Sequence, residues 1–106
     1  MTSTTQLSLN YLRKLGYTAN IVEHWNSFAH IRQDLFGFID IVAIKTGELG
    51  VLGVQSTSKS NISTRRRKIE SLPEYIVWKG ASNRIVIHGW AKSKKRNKWE
   101  LTEYIL

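Results

Sequence analysis

Apolar residues recur along the chain with two different periods, and each period predicts an element. Residues 5–16 carry apolar side chains, including Leu12, at helical spacing, and Gly16 follows as a typical helix end. Residues 19–25 alternate between polar and apolar side chains, which predicts a strand with two different faces. The polar stretch 26–34 then predicts a loop.

The next two apolar segments predict a tight hairpin. Residues 36–44 are apolar on both faces, as in a central strand, and residues 50–57 form a second apolar run. Between them, Thr46 and Gly47 are typical of a turn. We therefore expect the two strands to lie side by side, with polar residues of one strand close to those of the other.

The second half of the chain predicts two helices followed by two strands. Residues 62–71 combine a narrow apolar stripe with many cations, and residues 72–79 begin with Pro73, which a first helical turn tolerates. Residues 83–92 and 98–106 predict a closing pair of strands. The order of helix, three strands, two helices and two strands indicates an α+β fold, a mixed β-sheet flanked by helices.

Length and charge narrow the class of protein. A chain of 106 residues is expected to form a single domain over 1–106, and its small core favours a homodimer or a higher homo-oligomer. Sixteen Lys and Arg against eight Asp and Glu give a net charge of +8. Such a surplus is typical of nucleic-acid-binding proteins, although a surface charge that only promotes solubility is the alternative.

Several function classes lack their sequence signals. The chain has no cysteine, which excludes disulfides, thiol catalysis and sulfur-ligated zinc. Neither a transmembrane run nor a signal peptide is visible, so we expect a cytoplasmic protein with no membrane partner. The histidines do not have metal-ligand spacing, and the sequence contains no Gly-rich phosphate loop and no recognisable Ser-His-Asp arrangement.

One acidic residue stands out in the predicted hairpin. Asp40 lies between Ile39 and Ile41 in an apolar strand, and burying a lone carboxylate is costly unless it is paired or binds a cation. On the neighbouring strand, Gln55 and Thr57 share one face and can lie beside Asp40. Because carboxylate and amide oxygens suit Mg²⁺, we expect a metal site here, with a satisfied buried aspartate as the alternative.

At these residues the chain resembles the PD-(D/E)XK nuclease superfamily. The family pattern is a helix, a strand, an Asp on the next strand, a Glu or Gln two residues before a Lys on the following strand, and a helix. The corresponding segments are GFIDIVAI, with Asp40, and GVLGVQSTSKSN, with Gln55. The resemblance covers residues 5–72 and is nearest to Holliday-junction-resolvase-like and VRR-type nucleases, including short phage-encoded proteins.

The resemblance implies a restriction-endonuclease-like core and a Mg²⁺-dependent endonuclease that hydrolyses phosphodiester bonds in DNA, with Mn²⁺ as a substitute. Asp40 would be the central metal ligand, and Gln55 would position the metal or water. The family's Lys position is occupied by Thr57, so Lys59, two residues further on, is the candidate for the missing ammonium. The candidate catalytic residues are therefore Asp40, Gln55, Thr57 and Lys59.

Two other acids are candidate ligands of the same metal. Asp34 precedes the strand that carries Asp40, and Glu23 lies on the strand predicted over 19–25. A turn residue is the alternative interpretation of Asp34, and a salt bridge to a nearby Arg is that of Glu23. The candidate metal ligands are therefore Glu23, Asp34, Asp40 and Gln55.

Two basic clusters are the candidate DNA-binding surfaces. One lies on the helix after the Gln55 strand and one at the tip of the last hairpin; their members are Arg65, Arg66, Arg67, Lys68, Lys94, Lys95 and Arg96. The resemblance places that helix beside the active site, where its cations would bind phosphates flanking the cut. Solvated surfaces are the alternative for both clusters.

Two further functions compete with the nuclease. A catalytically inactive nucleic-acid-binding module with the nuclease fold would explain the missing Lys, and an unrelated basic α+β protein could bind RNA or a protein partner. If the chain is a resolvase-like nuclease, cutting two strands requires two active sites, so the resemblance favours a homodimer.

Overall fold

A computed structural model describes residues 3–106 as a five-stranded sheet with helices on both faces and a separate two-stranded hairpin. The helices are α1 (Thr4–Lys14), α2 (Ile62–Glu70) and α3 (Pro73–Gly80). The strands are β1 (Thr18–Ile21), β2 (His24–Asn26), β3 (Ile31–Gln33), β4 (Ile41–Ile44), β5 (Leu52–Ser58), β6 (Arg84–Ser93) and β7 (Lys98–Ile105). The prediction of an α+β fold with a mixed sheet and flanking helices is confirmed.

The five-stranded sheet has the order β1-β4-β5-β6-β7, with β5 in the centre. Strand β5 is antiparallel to β4 and parallel to β6. A parallel pair requires a crossover, and α2 and α3 provide it. The predicted hairpins, β4 with β5 and β6 with β7, are both present.

The core consists of two apolar layers, one on each face of the sheet. Because side chains alternate along a strand, β6 contributes to both layers, whereas the apolar side chains of β5 belong to one layer only. Val54 and Val86 pack with Leu12 of α1 on one face. Ile85 packs with Ile69 of α2 on the other face. The central strands are therefore enclosed by apolar layers, and any polar residue buried in them needs a specific partner.

All three predicted helices are confirmed, with ends that differ by at most two residues. Helix α1 begins after Ser3, whose side chain accepts a hydrogen bond from the Gln6 backbone N–H at 3.1 Å. Gly16 ends it with a φ of 95°, a left-handed conformation that favours glycine. Within residues 3–106, no helix combines the length and the apolar character needed to cross a lipid bilayer.

The prediction was wrong between the first helix and β4. The expected strand 19–25 is divided into β1 and β2, and the expected loop contains β3, which pairs with β2. Asp40 does not lie within a strand, because a turn closed by a bridge between Leu35 and Ile39 precedes β4. Gly37 in this turn has a φ of 83°, which is incompatible with an extended chain. Seven strands therefore replace the five predicted.

Candidate metal centre

Asp40 lies where the chain enters β4, opposite Gln55 of β5. Ile41 pairs with Val54, and the Asp40 backbone N–H donates to the Val54 carbonyl at 2.9 Å, so the register continues to Asp40 and Gln55. The Gln55 Nε2 donates to Asp40 Oδ2 at 2.9 Å, and the Ser56 backbone N–H donates to the same oxygen at 2.8 Å. Asp40 is only 3% exposed, and these β5 groups hold its carboxylate in place.

The β2–β3 hairpin brings two more acids to Asp40. His24 pairs with Gln33, which makes Glu23 and Asp34 the next opposed residues at the base of the hairpin. One carboxylate oxygen each from Glu23, Asp34 and Asp40 lies within 4.8 Å of the other two. We call these three residues the acid cluster. All three acids singled out in the sequence are thus brought together.

Gln55 connects two members of the acid cluster and leaves one of its own atoms without a partner. Its Nε2 also donates to Asp34 Oδ2 at 3.3 Å, so one amide group bridges Asp34 and Asp40. Its Oε1 is buried and has no hydrogen-bond partner among the described residues. A buried acceptor without a partner costs about 1–3 kcal/mol, which a bound cation would offset.

Burial and repulsion determine the charge of Asp40. Burial, followed by the hydrogen bond and negative charge of Asp34, raises the pKa of Asp40 to about 8, although the Ser56 N–H and the Gln55 amide act in the opposite direction. At neutral pH, burial and the neighbouring Asp34 therefore favour the protonated form of Asp40. A divalent cation can replace this proton, because it neutralises the repulsion that keeps the proton bound.

Glu23 forms a salt bridge and also belongs to the acid cluster, the two alternatives that the sequence left open. Its Oε1 lies 3.7 Å from the Arg32 guanidinium in a cross-strand ion pair, while its carboxylate also belongs to the acid cluster. The side chain is mostly buried, whereas that of Arg32 is largely exposed. An exposed pair of this kind contributes little stability, so Arg32 is free to leave Glu23 when another ligand competes.

The two candidate residues after Gln55 lie in different surroundings. Thr57 is buried on the same face of β5 as Gln55. Lys59 begins a 3-10 turn (Lys59–Asn61) between β5 and α2, where it is exposed and lines a shallow groove with Trp90 and Trp99. In the part of the chain that the structure describes, no ion pair or hydrogen bond joins Lys59 to the acid cluster.

The four cations of α2 are not equivalent. Arg65 is half-buried, because it lies three residues after Ile62 and four before Ile69 on the stripe that faces the sheet. Arg67 and Lys68 are exposed. The sequence analysis did not separate Arg65 from its neighbours, although its helical spacing to the two isoleucines was the available signal.

Arg66 has partners of its own on the protein. Its Nε donates to Glu70 Oε1 at 3.1 Å, and its guanidinium lies 5.1 Å from the centre of the Tyr104 ring. Lys94, Lys95 and Arg96 are exposed in the turn between β6 and β7, as predicted for a hairpin tip. Of the four cations of α2, Arg67 and Lys68 are therefore the ones best placed to contact another molecule.

A second polar cluster, which the sequence analysis missed, lies on the opposite face of β5. Ser8 Oγ is 2.8 Å from Ser56 Oγ and 2.9 Å from both His88 Nδ1 and Trp90 Nε1. All four residues are buried, and we call them the serine cluster. His88 Nε2 in turn lies 3.7 Å from a carboxylate oxygen of Glu103. A serine, a histidine and an acid thus form a row that the sequence did not reveal.

The serine cluster cannot act as a hydrolase triad. Ser8 is 0% exposed, and three partners already surround its oxygen. Burial lowers the pKa of His88 to about 4, against the opposing effect of Glu103, so the ring is neutral at neutral pH. A neutral ring and two hydroxyls satisfy one another without a bound ligand. The cluster is therefore a structural connection between α1 and the sheet.

Comparison of the chain with protein-family models, with curated proteins and with solved structures finds no match. The chemistry of the acid cluster therefore has to be inferred from its own donor set. Three carboxylates and an amide oxygen are ligands that suit hard cations such as Mg²⁺ and Mn²⁺. No histidine belongs to the acid cluster, and the chain has no cysteine, which makes a zinc site unfavourable.

Proposed function

We propose that the protein is a metal-dependent DNA endonuclease with a PD-(D/E)XK-like, restriction-endonuclease-like core. The observation that carries the proposal is the contact of Asp40 with Gln55 beside two further carboxylates. The elements also follow the order that the family pattern requires: α1, β1, Asp40 at the start of β4, Gln55 on β5, then α2. The inserted β2–β3 hairpin adds acids to this arrangement without changing the order.

The acid cluster would hold the cation, and Gln55 Oε1 would become an additional ligand if the amide turned over, since Nε2 now faces the carboxylates. When bound, a divalent cation supplies positive charge that stabilises the phosphoryl oxygens in the transition state. Asp40 would give up its proton as a cation binds, because its pKa of about 8 would not be maintained beside a positive charge. The Ser56 N–H and Gln55 keep Asp40 oriented during this exchange.

DNA is the substrate that the charge of the chain favours. The net charge is +8. Three of the eight acidic residues lie in the acid cluster, so the rest of the chain is still more positive. Helix α2 directly follows the turn after β5, and its exposed Arg67 and Lys68 are suited to contact the phosphates that flank the cut. The exposed cations at the tip of β6 and β7 offer a second phosphate-binding surface.

One observation favours a second candidate function. Thr57 occupies the family's Lys position, and Lys59 is not joined to the acid cluster among the described residues. A chain that binds metal and DNA but lacks the ammonium would be a binding module without catalysis. The two functions differ in cleavage and not in binding, so a cleavage assay separates them.

The test is nicking of supercoiled plasmid by the purified protein in Mg²⁺ or Mn²⁺, with EDTA as the metal-free condition. We expect nicked product from the wild type only when metal is present. Asp40→Asn should abolish nicking, because the amide fills the same space but weakens the cation site. Its circular dichroism spectrum and its DNA affinity should remain close to those of the wild type.

Glu100→Gln is the matched control, since it removes one exposed acid on β7, away from the acid cluster. This variant should nick plasmid like the wild type. Binding of plasmid without nicking in either metal would select the non-catalytic module. Nicking in EDTA, or by pure Asp40→Asn, would remove the acid cluster from the mechanism.

A further inference from the structure

The β2–β3 hairpin exposes large apolar side chains immediately beside the acid cluster. Phe28 at its tip is 97% exposed, and Trp25 on β2 is 56% exposed. The two strands form a sheet of their own, separate from the five-stranded sheet. Exposed aromatic side chains on a projecting hairpin are typical of a surface that binds a ligand with an apolar face.

The tip holds Phe28 outward by specific hydrogen bonds. Asn26 Oδ1 accepts the backbone N–H groups of Phe28 at 3.0 Å and of Ala29 at 3.1 Å. Asn26 Nδ2 donates to Gln33 Oε1 at 3.3 Å, and His30 closes the turn with a φ of 53°. Because Asn caps the turn with its side chain, the aromatic ring is presented on a defined backbone.

The strand register puts Trp25 on the same face as the acids. Trp25 pairs with Arg32, two pairs further out than Glu23 and Asp34. Opposed residues of antiparallel strands share a face, and so do residues two apart, which are about 7 Å from each other along the strand. The ion pair between Arg32 and Glu23 agrees with this arrangement. On this face, the carboxylates of Glu23 and Asp34 therefore lie at the base of the hairpin, and Trp25 and Arg32 lie nearer its tip.

The charge of the hairpin favours an anionic ligand with aromatic rings. Residues 24–33 contain no acid, and their ionisable side chains are Arg32 and two histidines. Trp25 contacts His30 edge-on, with ring centres 6.3 Å apart, and keeps more than half of its surface exposed. A nucleotide matches both features, since its base stacks on an aromatic ring and its phosphate pairs with a guanidinium.

Building on the proposed function, we propose that the β2–β3 hairpin is a base-binding arm that selects DNA with unpaired bases. Trp25 and Phe28 stack on bases next to the phosphate at the acid cluster, and Arg32 leaves Glu23 to contact the neighbouring phosphate. Bases in an intact duplex are already stacked and offer no free face, so the arm distinguishes branches, flaps and single strands from paired DNA.

The test compares affinities in EDTA, where the proposed cleavage does not take place. Fluorescence anisotropy would measure binding to a labelled duplex with a single-stranded overhang and to a fully paired duplex of equal length. Phe28→Ala and Trp25→Ala should each weaken binding to the overhang DNA about 5- to 150-fold, as expected for the loss of one stacked base. Binding to the paired duplex should change by less than about twofold.

Two controls separate stacking from folding. Leu49→Ala removes another largely exposed apolar side chain, from the turn between β4 and β5, and should bind both DNAs like the wild type. Trp25→Phe retains a ring and should recover most of the overhang binding. Equal losses on both DNAs, or no loss on either, would overturn the proposal. So would a dimeric wild type that Phe28→Ala converts to monomers, because the tip would then be covered by a second copy.

The outcome is independent of the nicking assay. If the overhang preference depends on Phe28 while plasmid is never nicked, the base-binding arm is supported and the nuclease is not. If plasmid is nicked in Mg²⁺ while Phe28→Ala leaves the overhang affinity unchanged, the nuclease is supported and the arm is not.

Discussion

A polar cluster lies against each face of strand β5, and Ser56 contacts both. Its backbone N–H donates to Asp40 in the acid cluster, while its hydroxyl contacts Ser8 in the serine cluster. The serine cluster consists of neutral groups that satisfy one another. The acid cluster consists of three carboxylates with one buried acceptor, Gln55 Oε1, that has no partner among residues 3–106.

The difference shows how a structural polar cluster can be distinguished from a functional one. In both clusters, burial suppresses the charge: the pKa of His88 falls to about 4 and that of Asp40 rises to about 8. His88 is already hydrogen-bonded to Ser8 through Nδ1, and its neutral ring needs no counter-ion. In the acid cluster, Asp34 and Asp40 repel each other when both are charged, and Gln55 Oε1 has no partner among the described residues. Incomplete satisfaction therefore supports the cation site proposed on this side of the sheet.

The largest effect on stability should come from the serine cluster. Ser8→Ala leaves the Ser56 hydroxyl, the His88 ring and the Trp90 indole without their common partner, and each orphaned group costs about 1–3 kcal/mol. We expect the free energy of unfolding in urea to fall by about 3 kcal/mol or more, while plasmid nicking by the folded variant is unchanged. Asn10→Ala, on the exposed side of α1, is the control. If folded Ser8→Ala no longer nicked plasmid, the serine cluster would not be purely structural, and the two faces of β5 would not have separate roles.

A smaller effect, on turnover alone, should identify the cation that serves the acid cluster. If Lys59 supplies the missing ammonium, Lys59→Ala should slow single-turnover cleavage about 10²-fold, or about 2.7–4 kcal/mol in barrier height, with little change in DNA affinity. Thr57→Lys should restore cleavage in that background. Arg65→Ala is the contrasting variant, since Arg65 is half-buried toward the sheet. If Arg65→Ala slows cleavage and Lys59→Ala does not, Arg65 of α2 supplies the positive charge in place of Lys59.

The smallest effect is a pH dependence with opposite signs for the two clusters. Asp40 has a raised pKa, so its contribution to stability is present at low pH and is lost as pH rises toward 8. His88 has a lowered pKa, so its contribution is present above pH 6.5 and is lost as pH falls toward 4. Between pH 6.5 and 8, only the Asp40 contribution changes, by about 1.4 kcal/mol per pH unit.

Urea unfolding in EDTA should therefore show a loss of about 2 kcal/mol from pH 6.5 to pH 8 in the wild type. Asp40→Asn should remove this slope, and saturating Mg²⁺ should reverse it, because a cation that binds only the folded state stabilises it. A flat wild-type profile in EDTA would show that Asp40 does not titrate in this range.

The sequence predicted those elements whose residues pack on the main sheet. The three helices and the strands β5 to β7 have periodic apolar faces, and Gly16 and Pro73 mark two helix boundaries. Strands β2 and β3 have no such pattern, because most of their side chains are exposed to solvent. Phe38 and Ile39 are fully buried in a turn, and an apolar run alone does not distinguish a buried turn from a strand.

The same reasoning explains which parts of the site were predictable. Asp40 and Gln55 belong to one hairpin, so their opposition followed from strand alternation. Glu23 and Asp34 were only candidates, because the hairpin that joins them has no apolar signature. The serine cluster was beyond prediction, since Ser8 meets Ser56 and His88 across 48 and 80 residues of sequence.

The two acids at the base of the β2–β3 hairpin link metal binding to the conformational freedom of the hairpin. The chain enters the hairpin at Glu23 and leaves it at Asp34, so a cation that binds both carboxylates closes this segment into a ring. Like a cross-link, such closure restricts the freedom of a small hairpin that is only marginally stable by itself. A nucleotide that orders the tip stabilises the same closed ring from the other end. Metal and base would then favour each other's binding through the backbone alone, without touching.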